Sequence, residues 1–196
     1  MPCEPTTIHI AVADSSLTLE SYPPTVWITA TFAPHWFADA LREARSDGAA
    51  PRRREIVFAV CCAESYLLEW VRDQVLKSDF EKLKRYFPPG KRRGVTEKWR
   101  AIPGQLKDDG LVPAIPDLGG SHGEDWKKLI DYRDGLVHAR ASRPETDSLP
   151  DQERPIPSTS SLSQIGPGWA VRVVVERIKR VHNAAGTPYP SWLSES

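Results

Sequence analysis

The chain has few of the features that mark secreted, membrane or metal-binding proteins. Its three cysteines, Cys3, Cys61 and Cys62, lack the CxxC spacing of a zinc site, and the adjacent pair favours reduced thiols over a disulfide framework. No stretch approaches the roughly 20 apolar residues of a membrane helix. The opening MPCEPTTIHIAV lacks the basic segment and long apolar core of a signal peptide. We therefore expect a soluble cytoplasmic protein with no membrane segment, no metal and no cofactor.

Net charge is also absent, because 26 basic residues face 26 acidic ones. A chain without excess charge has no general electrostatic attraction to nucleic acids. The charge is nevertheless unevenly placed, since the segment from Lys84 to Arg100 carries seven cations and a single acid, Glu97. A local basic patch is therefore expected where a global one is excluded.

The N-terminal segment has the pattern of β-strands. TIHIAV and TVWITATF are rich in β-branched and aromatic residues, and Asp14, Ser15 and Ser16 between them favour a turn. We predict two or three strands over residues 6–32, arranged as a β-hairpin or small sheet that packs on the main domain. Residues 1–33 are thus assigned to an N-terminal β element.

Residues 34–196 have a helical pattern and are assigned to one helical domain. PHWFADALREARSDG predicts a short helix with Gly48 as its stop. A long apolar run in VFAVCCAESYLLEWV marks a central helix that begins near Pro51. VTEKWRAIPGQLKDDG is a weaker helix, which Pro103 interrupts or ends. The protein is predicted to be mainly α, an up-and-down bundle of four to five helices.

Two further helices complete the predicted bundle. In GGSHGEDWKKLIDYRDGLVHARAS, Ser121 and Glu124 have capping-box spacing, so this helix should start at about residue 122. Its expected buried side consists of Trp126, Leu129, Ile130 and Val137. GWAVRVVVERIKRVHNAAG forms the last helix. Between the two, residues 143–168 hold five prolines and many serines without periodicity, which predicts a mobile loop.

One motif in LIDYRDGLVHARAS has the residue types of a reactive site. Arg133 precedes His138 by five positions and is followed directly by Asp134. The spacing alone is weak, because Arg177 and His182 in ERIKRVHNAAG show it too. On the polar side of an amphipathic helix, such residues ordinarily serve solvation or the helix dipole. The surroundings of Arg133 therefore decide its interpretation.

The segment YRDGLVHARAS resembles the signature of HEPN domains, which is an arginine, a polar residue, a few further residues and a histidine. Arg133, Asp134 and His138 match this signature, whereas Arg177 is followed by an apolar residue. VFAVCCAESYLLEWV is also similar to an early HEPN helix that carries an acidic residue among apolar ones. The resemblance covers residues 51–142 and, loosely, the last helix.

This resemblance implies an all-α domain, commonly dimeric, in which the motifs of two subunits meet at a cleft. Many HEPN proteins are metal-independent endoribonucleases, and others are noncatalytic binding modules. Some pair with an antitoxin of the nucleotidyltransferase type. A homodimer, an RNA substrate and such an antitoxin are therefore the implied partners. The N-terminal strands and the proline-rich loop lie outside the family pattern.

The chemistry of RNA cleavage without a metal suits these residues. One group must take the proton of the 2′-hydroxyl, and histidine, here His138, titrates near neutrality. A cation must stabilise the charged phosphorane, and the planar fork of Arg133 matches phosphate oxygens. The two lie about 140° apart around an ideal helix, so a symmetric partner would supply the missing half of the site. Asp134, one turn before His138, can hold the imidazole in one tautomer.

Glu64 lies in the apolar run of the central helix, where a buried carboxylate needs a cation. Arg133 is the candidate partner, and the alternative is that Glu64 lies on an exposed strip. The predicted catalytic residues are Arg133, Asp134, His138 and Glu64.

In PPGKRRGVTEKWR the cations can neutralise phosphates and Trp99 can stack on a base. The alternative is a solvated basic loop with Trp99 in the core. The predicted nucleic-acid-binding residues are Lys91, Arg92, Arg93, Lys98, Trp99 and Arg100.

Three hypotheses for function follow. The first is a HEPN-like, metal-independent endoribonuclease that cleaves single-stranded RNA, as a toxin or defence protein. The second is a noncatalytic HEPN-like module for dimerisation, nucleotide binding or protein interaction. The third is a helical scaffold whose function lies in the N-terminal strands or the proline-rich loop. His122 is a weaker candidate near the motif helix, and the remaining histidines, His9, His35 and His182, are interpreted as structural or surface residues.

Overall fold

The computed structural model divides the chain into two compact units, Met1–Phe32 and Ala33–Ser196. The residues that it describes with their side chains are 31–75, 85–88, 94–137, 162 and 164–193. The backbone alone is described for residues 7–12, 15–22, 25–29 and 83–84. None of the described helices is both long enough and apolar enough to cross a membrane.

The backbone of the first unit follows three antiparallel strands in the order β1-β2-β3. They are β1 Thr7–Val12, β2 Ser15–Tyr22 and β3 Thr25–Thr29. Ile8 lies opposite Leu19, which in turn lies opposite Ile28, so the register aligns apolar positions across all three strands. The predicted packing of this element on the helical domain stays a prediction.

The described part of the second unit is mainly helical. Its helices are α1 Ala33–Ala44, α2 Ala49–Val75, α3 Leu83–Tyr86, α4 Val95–Asp108, α5 Gly120–Val137 and α6 Trp169–Ala185, with a 3₁₀ helix at Ser191–Leu193. α2 is the longest and packs against α1, α4, α5 and α6, so it is the centre of a helical bundle. The prediction of a mainly helical bundle is confirmed for these residues, whereas the up-and-down order of its helices stays a prediction.

Two buried glutamates of α2 cap the first turns of other helices. Glu69 accepts a 3.0 Å hydrogen bond from the Ala33 N–H at the start of α1. Glu55 accepts hydrogen bonds from the N–H groups of Gly168 and Ala170 at the start of α6, and it pairs with Arg52. First-turn N–H groups have no partner within their own helix, and a carboxylate there also complements the helix dipole. α2 thus fixes the positions of α1 and α6.

Trp99 is fully buried in the core between α2, α4 and α5. Its ring stacks on Tyr66 with centroids 6.4 Å apart and meets the edge of Trp126 at 5.8 Å. The prediction that Trp99 stacks on a base is therefore wrong, because that role requires an exposed ring face. The alternative interpretation of Trp99 as a core residue is confirmed.

Two predicted helix ends are wrong. Pro103 lies inside α4, which ends at Asp108 and is followed by Asp109 as its C-cap and by Gly110 with φ 72°. The proline removes one backbone hydrogen bond, but it belongs to a buried face whose burial outweighs this loss. α1 ends at Ala44, before Gly48, whose carbonyl instead accepts the Arg52 N–H in the first turn of α2.

α5 also differs from its prediction at both ends. It begins at Gly120 rather than near residue 122, and the Gly123 N–H donates to the carbonyl of Gly119. Ser121 therefore lies inside the first turn instead of capping it. Val137, predicted to be buried, is 52% exposed because it is the last residue of α5, where the core contacts made by the middle of the helix end.

Candidate functional site

Arg133 lies on the buried face of α5, near the end of the helix. Trp126, Leu129 and Ile130 are all buried and precede Arg133 by seven, four and three positions. Because an α-helix repeats about every 3.6 residues, these spacings place all four side chains on one face. The Arg133 side chain is only 17% exposed. This arginine is therefore not on the solvated side of its helix.

Arg133 meets Glu64 of α2 in an ion pair. Its Nη2 donates to Glu64 Oε2 at 2.7 Å, while its Nη1 donates to Asp134 Oδ1 at 2.9 Å. Lys98 of α4 places its Nζ 3.6 Å from the other oxygen, Oε1, of Glu64. The prediction that Glu64 pairs with Arg133 is confirmed. We call Glu64, Lys98, Arg133 and Asp134 the Glu64 cluster.

The Glu64 cluster balances two cations with two carboxylates. Its side chains are partly buried, with Glu64 30% exposed, so solvent screens these interactions less than it screens pairs on the open surface. The cluster joins α2, α4 and α5 through one carboxylate. It also holds the guanidinium of Arg133 in a fixed orientation, and a guanidinium has five N–H donors, so donors beyond those two remain for a phosphate.

Cys61 lies within the electrostatic reach of this cluster. Burial is the main cause that raises the pKa of the Cys61 thiol, with Glu64 adding to the rise and Arg133 opposing it. The thiol therefore stays protonated at neutral pH, and thiolate chemistry is not part of this site.

Several predicted site residues lie outside the described residues, namely His138, Lys91, Arg92 and Arg93. The pairing of Asp134 with His138 therefore stays a prediction, although Asp134 does bind Arg133. Arg100 is exposed on α4. Lys98 is directed to Glu64 rather than to open solvent, so part of its charge is already balanced within the protein. Most of the predicted loop at 143–168 is likewise outside the described part.

A second arginine, Arg177 of α6, is more deeply buried than Arg133. It is 3% exposed, and its guanidinium carbon lies 4.2 Å from the ring centroid of Trp126 and 5.4 Å from that of Trp99. We call these three residues the tryptophan–arginine cage. Val174 and Val181, one turn to either side of Arg177, are buried too. The spacing of these two valines was the sequence signal from which the burial of Arg177 could have been predicted. Arg177 was interpreted only as part of a short motif, which does not use this signal.

His182, five residues after Arg177 in α6, is also a core residue. It is 7% exposed, its Nε2 meets the Tyr66 hydroxyl, and its Nδ1 lies 2.8 Å from the Thr187 hydroxyl. Burial lowers the pKa of His182, so the imidazole is neutral at neutral pH. The interpretation of His182 as a structural residue is thereby confirmed.

His122, in the first turn of α5, contacts the cage. Arg177 Nη1 lies 3.3 Å from His122 Nε2. Burial, followed by the charges of Arg177 and Arg180, lowers the pKa of His122. His122 also lines a cleft of about 270 Å³. The residues that line this cleft are Ser121, His122, Asp125, Trp169, Arg172, Val173, Glu176 and Arg180.

Comparison of the chain with protein-family models, with curated proteins and with solved structures finds no match. Among the side chains that the structure describes, no three histidines, cysteines, aspartates or glutamates converge in the way a metal ion requires.

Proposed function

We propose that the chain is a HEPN-like, metal-independent endoribonuclease that cleaves single-stranded RNA. The observation that supports this most is the ion pair between Glu64 in the apolar run of α2 and Arg133 at the end of α5. It joins the acidic residue of the central helix to the arginine of the motif. His138, the proposed base, is the residue directly after the end of α5. It is therefore close in sequence to Arg133, whose orientation Glu64 fixes.

In the proposed reaction, the 2′-oxygen of the ribose attacks the adjacent phosphorus. His138 takes the proton of that 2′-hydroxyl as the new P–O bond forms. Arg133 stabilises the negative charge that develops on the phosphorane oxygens. The bond from phosphorus to the 5′-oxygen then breaks, and that oxygen takes a proton from a second His138. The products are a 2′,3′-cyclic phosphate and a free 5′-hydroxyl.

The second histidine comes from a second copy of the chain in this proposal. Arg133 and His138 differ by about 140° around an ideal helix, which favours a site shared by two subunits over a site on one helix. The proposed form is therefore a homodimer in the cytoplasm. As the resemblance implies, its proposed role is that of a toxin or defence protein regulated by an antitoxin of the nucleotidyltransferase type.

A noncatalytic binding module is the second candidate, and one observation favours it. Both terminal nitrogens of Arg133 donate to carboxylates, those of Glu64 and Asp134. The Glu64 cluster thus also links three helices and serves the fold. In this case Arg133 supports a dimer or ligand surface, and the chain binds RNA or a nucleotide without cleaving it.

The test is cleavage of a single-stranded RNA by the purified chain with excess chelator. We expect cleavage by the unaltered chain, and a loss of about a thousandfold or more in His138→Ala and Arg133→Gln. The matched controls are His35→Ala and Arg42→Gln, which alter an exposed histidine and an exposed arginine of α1 and should cleave normally.

The same variants separate the two candidates. Cleavage that persists in both His138→Ala and Arg133→Gln contradicts the proposed mechanism. An unaltered chain that never cleaves, but whose dimer or RNA complex is lost in these variants, favours the binding module. Circular dichroism and thermal unfolding of each variant show whether a loss arises from the site or from the fold.

A further inference from the structure

Arg177 is a buried cation without a carboxylate partner among the described residues. Its contacts are the faces of Trp99 and Trp126 and the imidazole of His122. Burial of an uncompensated charge is costly, and aromatic faces offset only part of that cost. Burial and the nearby Arg180 lower the pKa of Arg177 to about 9, so the guanidinium is still charged at neutral pH. Arg177 is therefore a charged side chain in the core with no carboxylate neighbour among the described residues.

The cage also has an excess of hydrogen-bond donors. Arg177 Nε, Trp99 Nε1 and Trp126 Nε1 are all buried without an acceptor in the described part of the chain. Buried donors in folded proteins nearly always have a partner. The positive charge of Arg177 and the unpaired donors around it both favour a negatively charged hydrogen-bond acceptor nearby.

His122 connects the cage to the cleft. Because the guanidinium of Arg177 can only donate, His122 Nε2 must accept its hydrogen bond. A neutral imidazole with an accepting Nε2 carries its proton on Nδ1. His122 Nδ1 has no hydrogen-bond partner among the described residues, and it is not a fully enclosed atom. Arg177 thereby favours the tautomer of His122 that carries its proton on Nδ1, and His122 is one of the residues that line the cleft.

Two arginines of α6 flank the same cleft. Arg172 donates to the carbonyl of Pro167, and Arg180 donates to Glu176 and to the carbonyl of Asp117. These bonds hold both guanidinium groups in place but use only part of their five donors each. The cleft also contains two carboxylates, those of Asp125 and Glu176. The lining itself is therefore balanced, with two arginines and two carboxylates, and Arg177, which lies behind His122 and outside the lining, adds a third cation.

We propose that this cleft binds the phosphate group of a small ligand. His122 Nδ1 donates to one phosphate oxygen, and Arg172 and Arg180 bind the others. Forked arginine donors suit phosphate oxygens. The cleft has a volume of about 270 Å³, which is enough for a phosphate, and it is open to solvent, so a larger group attached to the phosphate can extend outward. Trp169, which also lines the cleft, offers an apolar surface for such a group.

This inference is independent of RNA cleavage at Arg133 and His138. His138→Ala should leave phosphate binding unchanged, and Arg172→Gln should leave the chemistry at the Glu64 cluster unchanged. Failure of one proposal therefore does not decide the other. The ligand is either free phosphate or a nucleotide, which share the group that the cleft recognises.

Calorimetric titration of the full chain with inorganic phosphate is the first test. We expect saturable binding in about the millimolar range, weakened about tenfold in Arg172→Gln and in Arg180→Gln. Arg42→Gln is the matched control, since Arg42 is an exposed helix arginine paired with an aspartate elsewhere in the bundle. Absence of saturable binding, or an equal loss in Arg42→Gln, overturns the proposal.

Two substitutions of His122 test the direction of its hydrogen bond. In His122→Asn the amide nitrogen replaces Nδ1, so the donor to phosphate is kept. In His122→Gln the amide replaces Nε2, so only the contact with Arg177 is kept. We expect His122→Asn to bind phosphate within about threefold of the unaltered chain and His122→Gln to bind about tenfold more weakly. The reverse order overturns the role of His122, provided that both variants unfold cooperatively.

A titration with adenosine 5′-monophosphate shows whether the cleft binds a nucleotide or free phosphate. Tighter binding of this nucleotide than of inorganic phosphate, lost in Trp169→Ala, assigns the cleft to a nucleotide. Equal affinity assigns it to free phosphate, and both results support the site. If neither probe binds at concentrations of about 10 mM, the proposal is wrong.

Discussion

The guanidinium of Arg177 lies against the ring face of Trp126, 4.2 Å from its centroid. An arginine in this position stabilises the fold through the packing of its aliphatic stem, its contacts with the aromatic rings and its hydrogen bond to His122. Its positive charge lowers stability, because burial removes the charge from water. Within the described residues, the core of the bundle thus contains a cation that contacts aromatic faces and no carboxylate.

Replacement of Arg177 should separate its volume from its charge. We expect Arg177→Ala to lower the free energy of unfolding by about 3 kcal/mol, because it leaves a cavity and a buried acceptor on His122. Arg177→Met leaves the same His122 acceptor without a donor, but it fills the space and removes the charge, so its cost should be about 1–2 kcal/mol smaller than that of Arg177→Ala. Urea denaturation measures both, with exposed Arg172→Ala as a control within about 0.5 kcal/mol of the unaltered chain. An Arg177→Met variant as unstable as Arg177→Ala would contradict this ranking.

Glu55 should be among the most sensitive positions of α2. Its carboxylate caps α6 and neutralises the buried Arg52. Glu55→Gln leaves that cation uncompensated, so we expect a loss of about 3–5 kcal/mol in urea denaturation. The double variant Arg52→Met/Glu55→Met removes both charges and should lose less than Glu55→Gln, although it also loses the cap. If the double variant is the less stable of the two, the charge argument for this pair is wrong.

Periodicity and the cost of buried charge were sufficient to predict part of this structure. The apolar run of α2 identified the central helix, and for Glu64 within that run it left two alternatives, a pair with Arg133 or an exposed position, of which the structure shows the pair. Both inferences depend on local spacing or on a single energetic rule. The interior position of Pro103 was not predictable in this way, because the burial that compensates for it comes from the tertiary packing of α4.

The contacts that depend on distant segments were missed for the same reason. Glu55 and Glu69 cap helices whose first turns lie 113 and 36 residues away in sequence. The contact of His122 with Arg177 spans 55 residues. No spacing in the sequence shows which helix ends or side chains meet across a bundle. Arg177 shows the same limit, since its motif match gave no indication of its burial between two tryptophans.

The ion pair of Glu64 and Arg133 should stabilise the bundle measurably. A double-mutant cycle with Glu64→Gln and Arg133→Gln should give a coupling of about 1–2 kcal/mol, because both side chains are mostly shielded from solvent. The control cycle uses Asp39 and Arg42, where the arginine is 70% exposed, and should give less than about 0.5 kcal/mol. Equal couplings in the two cycles would mean that the burial of the Glu64 cluster adds nothing.

His182 should contribute to acid sensitivity. Its burial lowers the folded-state pKa below the value in the unfolded chain, so the unfolded state takes up the proton first as pH falls. The stability that the neutral imidazole contributes is therefore present above about pH 6.5 and is lost as pH falls toward the folded pKa. His182→Gln keeps an acceptor for the Tyr66 hydroxyl but cannot titrate. We expect urea denaturation to show a smaller loss of stability between about pH 7 and about pH 5 in His182→Gln than in the unaltered chain. His35→Gln, at an exposed position, should follow the unaltered chain, and an unchanged slope in His182→Gln would show that His182 does not titrate in this window.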